Sequence, residues 1–262
     1  MSFAVKKLNN EVVGAIPLKE PKDTRPVKGW KLFPEMNANI FLCAKKKSGK
    51  TSTIYKILQK CCGKDTKIIV FCATLHKDKS WIAIREWAEE RGLVFVGHES
   101  IKDDEGVDQL QLLINELQAK VDDEPEEKSI FDSDSEDEEP KRKPKYQSPE
   151  YIFILDDLST ELKSNSIPRL LKVNRHFLSK TIISSQWLND LHPMSRKQQD
   201  YFILFRGQPQ KKLEIHRDAS ISIPLEQFWE VYKFATEKPF SFLYVDCTTG
   251  EFRRNFTDMI EL

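Results

Sequence analysis

Apolar residues in this chain come in short blocks, and the period of the pattern changes from block to block. Asn39–Cys43, Lys67–Ala73, Leu93–Val96, Tyr151–Leu155, Lys180–Gln186 and Asp200–Arg206 are compact runs rich in β-branched and aromatic residues. Their length and content predict strands, and the unbroken apolar character of Tyr151–Leu155 predicts cover on both faces. Between them the apolar spacing shifts to three and four. Ser52–Cys62 gathers Ile54, Ile57, Leu58 and Cys61 on one face, and Ser80–Arg91 carries Trp81, Ile84, Trp87 and Ala88 in the same way. Val107–Lys120 and Leu225–Thr236 are further predicted helices. Phe240–Asp246 and Glu251–Phe256 flank Cys247-Thr-Thr-Gly250, which reads as a hairpin. Strands alternating with helices predict an α/β fold.

Two strand ends carry candidate chemistry. After Cys43 the chain reads Ala44-Lys-Lys-Lys-Ser-Gly-Lys-Thr51 and then enters a predicted helix. A loop that opens a helix aims unpaired backbone N–H groups at one point, where the helix also has its positive end. That arrangement suits a triphosphate. In this reading Ala44, Lys47, Ser48, Gly49, Lys50, Thr51 and Ser52 form the nucleotide cradle. Lys50 reaches the β- and γ-phosphates, and Thr51 offers a hydroxyl to Mg²⁺. The usual pattern begins with glycine, and here that position is Ala44; alanine fits only where φ stays negative.

The second strand end is Tyr151–Leu155 followed by Asp156 and Asp157. Asp156 stands where a Mg²⁺-linked carboxylate belongs, and Asp157 is the candidate for orienting or deprotonating the attacking water. Gln186, at the tip of the Lys180–Gln186 strand, is placed to sense a γ-phosphate or to position water. Arg175 is the candidate arginine supplied to a neighbouring subunit, with Arg169, Arg196, Arg206 and Arg217 as competitors.

Charge adds a further division. The 262 residues balance 41 basic against 41 acidic side chains. Residues 122–139, however, hold eleven acidic residues and one lysine, a net of −10, which leaves +10 on the remainder. Such a stretch cannot bury enough apolar surface to fold, so a disordered acidic insert is expected at about 122–148. It holds Ser133 and Ser135 as candidate phosphorylation sites. Residues 1–30, with Pro17, Pro21 and Pro26, are expected to be an extended arm, and 31–262 a single domain. No run is long enough for a membrane helix, and no signal-peptide pattern opens the chain. Five cysteines without paired spacing read as free thiols in a reducing compartment, and the scattered histidines suggest no metal cluster.

The order of these motifs resembles the genome-packaging ATPases of large double-stranded DNA viruses and virophages, within the FtsK–HerA superfamily of P-loop NTPases. The residues that carry the resemblance are Ser48-Gly-Lys-Thr51, Ile154-Leu-Asp-Asp-Leu158, Asn174-Arg-His176, Thr181-Ile-Ile-Ser-Ser-Gln186, Leu191-His-Pro193 and Phe242-Leu-Tyr-Val-Asp246. The resemblance implies a RecA-like three-layer sandwich with a mostly parallel central sheet and a C-terminal β-hairpin. It implies ATP and Mg²⁺ as ligands and a homo-oligomeric ring, a pentamer or hexamer. The ring would pump double-stranded DNA through a capsid or portal-vertex protein, in a viral factory of the host-cell cytoplasm and in the virion. Lys211, Lys212, Arg217, Arg253 and Arg254 are the candidate DNA contacts. Two rival readings share the same residues: another translocase or helicase of the superfamily, and a nucleotide-binding scaffold that does not hydrolyse.

Overall fold

The computed structural model describes residues 23–123, 145–207, 212–218, 221 and 223–262. Six strands form a parallel core: β1 (Asn39–Cys43), β2 (Lys67–Cys72), β3 (Phe95–His98), β4 (Tyr151–Asp156), β5 (Ser179–Ser185) and β6 (Tyr201–Phe205). Three more, β7 (Phe242–Asp246), β8 (Phe252–Arg254) and β9 (Asp258–Met259), add antiparallel at one side. The full order is β3-β2-β4-β5-β1-β6-β7-β8-β9. β1 therefore lies at the centre, with β5 and β4 on one flank and β6 and β7 on the other.

Helices cover both faces, as the unbroken apolar strands require. Along β1, Ile40 and Leu42 enter one core while Phe41 enters the other. The same alternation splits Ile152 and Ile154 from Phe153 and Leu155 on β4. The first core packs against α1 (Lys50–Cys61) and α2 (Lys79–Glu89), whose apolar faces are the ones the spacing predicts. The second packs against α3 (Gln109–Asp123), α4 (Ser166–Val173) and α7 (Leu225–Ala235). This is the three-layer sandwich that the resemblance implies, with its terminal hairpin. Short α5 (Pro193–Arg196) and α6 (Lys212–Asp218) were not expected.

The edges of the acidic segment are tighter than its composition suggests. Asp122 and Asp123 close α3. On the far side, Gln147 forms an isolated parallel bridge with Val27, and its amide donates to the carbonyls of Arg25 at 2.6 Å and Asp23 at 3.1 Å. A side chain that satisfies backbone groups in another segment ties the two segments together. Residues 124–144, with Ser133 and Ser135, and residues 1–22 lie outside the described residues.

One buried charge sits at the start of β5. Lys180 is fully buried, its Nζ donates to the Glu35 carbonyl at 2.7 Å, and it lies 5.2 Å from the Phe33 ring centroid. Burial lowers its pKa, against the opposing pull of Cys61, Glu35 and Asp200. A lysine with a folded pKa below its unfolded value is least stabilising at low pH. Its contribution returns as pH rises through the folded pKa toward the unfolded value. Lys180→Met is therefore expected to be at least as stable as wild type at pH 7 in urea melts, although the Glu35 carbonyl loses a donor. The difference should shrink as pH approaches 10. A loss of several kcal/mol at pH 7 would contradict this.

Candidate functional site

The loop between β1 and α1 leaves the sheet at the carboxyl ends of the parallel strands. Gly49 caps α1 at φ 93°, a region that favours glycine, and a Cβ there would stand 3.4 Å from the Phe240 ring. Lys47 is also left-handed, at φ 63°, and the Ser48 hydroxyl donates to the Lys45 carbonyl at 2.5 Å. The loop is thus wound tightly ahead of the free N–H groups of α1. Ala44 is buried, lies outside the positive-φ residues, and donates its N–H to the Ser185 carbonyl at 3.0 Å. The backbone at this point still follows the strand pairing, so a Cβ is accommodated.

Lys50 stands between the two aspartates. Its Nζ is 2.7 Å from Asp156 Oδ1 and 2.5 Å from Asp157 Oδ1. Burial pulls the ammonium pKa down, but the two carboxylates outweigh it and the net shift is upward. Asp156 is almost wholly buried, and desolvation raises its pKa against the opposing charge of Lys50. Asp157, 40% exposed, follows β4 at φ 54°, a left-handed turn that a non-glycine residue seldom adopts. That turn sends successive carboxylates to the same ammonium.

A tryptophan fixes the first of them. Trp81 Nε1 on α2 donates to Asp156 Oδ2 at 3.1 Å. The other oxygen, Oδ1, faces Lys50 and accepts no aligned hydrogen bond. A buried carboxylate oxygen with unused lone pairs suits a hard cation. Among the described residues no group of three or more acidic, histidine or cysteine side chains could hold a metal. Mg²⁺ does not need one, because it is commonly held by one or two carboxylates together with phosphate oxygens and water. The residues present fit it.

Lys50, Thr51, Asp157 and Gln186 line one open cleft of about 630 Å³, together with Ala44 and Lys47. Gln186 follows β5 directly, next to β1, and its carbonyl accepts from Cys43 Sγ at 3.6 Å. The Ser185 hydroxyl bonds the Asp190 carboxylate just behind it. The opposite wall comes from Thr74, Lys77, Asp78 and Ser80, which the pattern of the sequence did not single out. Asp78 caps α2 by accepting from the Ser80 N–H at 2.8 Å. That cap is legible, but nothing local says it faces a cleft. Trp81, read from spacing only as a core or interface residue, is buried and also reaches Asp156.

Other candidates lie elsewhere. Arg175 precedes β5, so it is exposed at the opposite edge of the sheet from the cleft, near Glu35 and Asp200. The seven residues of β5 span roughly 23 Å, so Arg175 cannot serve its own cleft. Arg206 follows β6, is exposed, and lines a different cavity with Trp229 and Lys233 of α7. Arg253 bonds Glu251 and donates to the Lys31 carbonyl at 3.0 Å, with Tyr244 beneath it at 4.8 Å. Arg254 pairs with Asp258 at 3.2 Å and lies over Phe234 at 5.2 Å. Both are engaged within the chain. Arg217 is exposed on α6, which Lys212 begins; Lys211 lies outside the described residues.

No protein-family model matches the chain, and no curated protein matches it in sequence. Among solved structures, B204, the DNA-packaging ATPase of Sulfolobus turreted icosahedral virus, is similar at a TM-score of 0.54 and 20% identity, covering 84% of this chain and 97% of that one. The genome-packaging NTPase B204 of Sulfolobus turreted icosahedral virus 2, solved with ATP-gammaS, is similar at a TM-score of 0.51 and 20% identity, with the same coverage. Its complex with AMP gives 0.52 at 18% identity, covering 84% and 98%. The fold of this chain is the fold of those packaging ATPases.

Proposed function

We propose that the chain is an ATP-hydrolysing motor that moves double-stranded DNA into a preformed viral capsid. The observation that supports this most is the meeting of Lys50 with Asp156 and Asp157 at the mouth of a helix-opening loop. The overall fold, shared with viral packaging ATPases, points the same way.

The arrangement suggests how the residues would act. Lys50 pairs with Asp156 and Asp157 and would also pair with the β- and γ-phosphates of a bound triphosphate. Asp157 would orient or deprotonate the attacking water. The Thr51 hydroxyl and Asp156 Oδ1 would hold Mg²⁺, which supplies charge neutralisation across the phosphates when bound. Trp81 keeps Asp156 from rotating away. Gln186 lies beside the expected position of the γ-phosphate and can donate to it or to the water. An arginine from a neighbouring subunit would add to the positive charge that Lys47 and Lys77 bring to the cleft. Arg175, exposed on the far edge, suits supply to a neighbour in a ring of five or six, and such an arginine ties firing to assembly. DNA would be gripped through its phosphates, without base readout, as a motor acting on any sequence requires. Lys211, Lys212, Arg217, Arg253 and Arg254 are the candidate contacts.

Steady-state ATP turnover with and without duplex DNA tests the proposal. Duplex is expected to stimulate turnover severalfold, with the stimulation falling as salt rises. On intact duplex the protein should displace a bound third strand without separating the two beneath it. Strand separation would favour the helicase reading. Nucleotide binding with no turnover, with or without DNA, would favour the scaffold.

A further inference from the structure

We infer that a base-binding subsite, built on Phe240, adjoins the phosphate loop on the side away from Asp156. This inference rests on the nucleotide reading above and adds to it where the nucleoside goes. The γ-phosphate end must face Asp157 and Gln186, because those residues are placed to act on water. Asp156 lies on β4 and Gln186 follows β5, both on one flank of β1. The nucleoside end must then leave the loop toward the other flank, where β6 and β7 lie.

A cavity of about 470 Å³ opens there, and it shares Gly49 and Ser52 with the phosphate cleft. That volume lies in the range of small-molecule sites. One wall is α1, through Ser52, Thr53 and Lys56; the other is Phe240, Phe242 and Asn255. Phe240 is 69% exposed, the most exposed large apolar side chain among the described residues. It also sits at φ 62°, a conformation that bulky residues avoid and that recurs where function holds a residue in place. A Cβ added at Gly49 would stand 3.4 Å from its ring, and both residues line the cavity. Behind it a fixed wall forms, with Phe242 5.1 Å from Phe205 and 5.0 Å from Phe256 between ring centroids.

Asn255 supplies the polar element. Its Oδ1 accepts from the Phe242 N–H at 3.2 Å, and its backbone is also left-handed at φ 57°. With that oxygen occupied, the side-chain NH₂ is the group that can donate to a ring nitrogen or carbonyl oxygen of a base. An exposed aromatic face beside one oriented amide donor is chemistry for a stacked purine, not for more phosphate.

Affinities of the full-length protein for ATP and for inorganic tripolyphosphate, which lacks a base, decide the matter by calorimetry. Phe240→Ala should weaken ATP binding on the order of tenfold and leave tripolyphosphate unchanged. Phe240→Trp should restore ATP affinity, and its fluorescence should respond to ATP but not to tripolyphosphate. Unchanged ATP affinity in Phe240→Ala would overturn the subsite and leave the phosphate cleft standing. Equal losses for both ligands would show that Phe240 merely supports Gly49, which also overturns it. If wild type binds neither ligand, the nucleotide reading itself fails.

Discussion

Replacing Lys50 by alanine is expected to lower kcat/KM for ATP by about 10³-fold or more, the scale seen when a preorganised charge is taken from a developing anion. The side chain is only 12% exposed and already carries the shape of the reaction, with two carboxylates holding it where phosphate charge will arrive. Its removal also leaves Asp156 and Asp157 side by side without a cation. Asp156, which burial already raises, would be pushed further up. The sign of the stability effect follows. A carboxylate whose folded pKa lies above its unfolded value stabilises fully below the unfolded pKa and loses that contribution as pH rises through the folded one. The Lys50→Ala protein should therefore melt close to wild type near pH 5 and progressively below it toward pH 8. Turnover equal to wild type would show that the activity belongs to a contaminant.

Asp156→Asn should give the opposite pairing of effects. Turnover is expected to fall on the order of 10²- to 10³-fold, because the buried oxygen that would face the metal loses its charge. The fold should not suffer. Asparagine has nearly the same shape, its Oδ1 can still accept from Trp81 Nε1, and Lys50, whose ammonium then faces the amide NH₂ and turns from it, keeps Asp157 at 2.5 Å. Wild type carries an ionised carboxylate against desolvation, and that cost grows as pH rises through the raised Asp156 pKa. The variant escapes it, so its melting temperature at pH 7 should equal or exceed that of wild type, with less advantage near pH 4. A fall of many degrees at pH 7 would make Asp156 a structural contact rather than a functional one. Activity lost while stability is kept is the mark of a group held for chemistry.

Both experiments concern residues that were legible before any coordinates. Lys50 and Asp156 stand out because a polar loop or a carboxylate pair interrupts a buried apolar run, and burial of the strand forces the polar group to the strand's end. Gln186 was legible for the same reason. Trp81 was not, since an indole on an apolar helix face looks the same whether its N–H meets a carboxylate or none. Thr74, Lys77, Asp78 and Ser80 were equally opaque, because an ordinary helix start becomes a cleft wall only when β2 and β4 are neighbours. Arg253 and Arg254 read as candidate DNA contacts, and nothing in their spacing shows that Glu251, Asp258 and aromatic rings lie against them.

Periodicity by itself determined the α/β class, since compact apolar runs alternate with segments of helical spacing. It also determined that a phosphate-type loop and a paired carboxylate end two of those strands. Tertiary structure alone decided that the two ends converge on one ammonium, because strand order is set by packing across a hundred residues of intervening chain. It alone decided that Phe240, just before β7, and Gly49, at the start of α1, line one cavity.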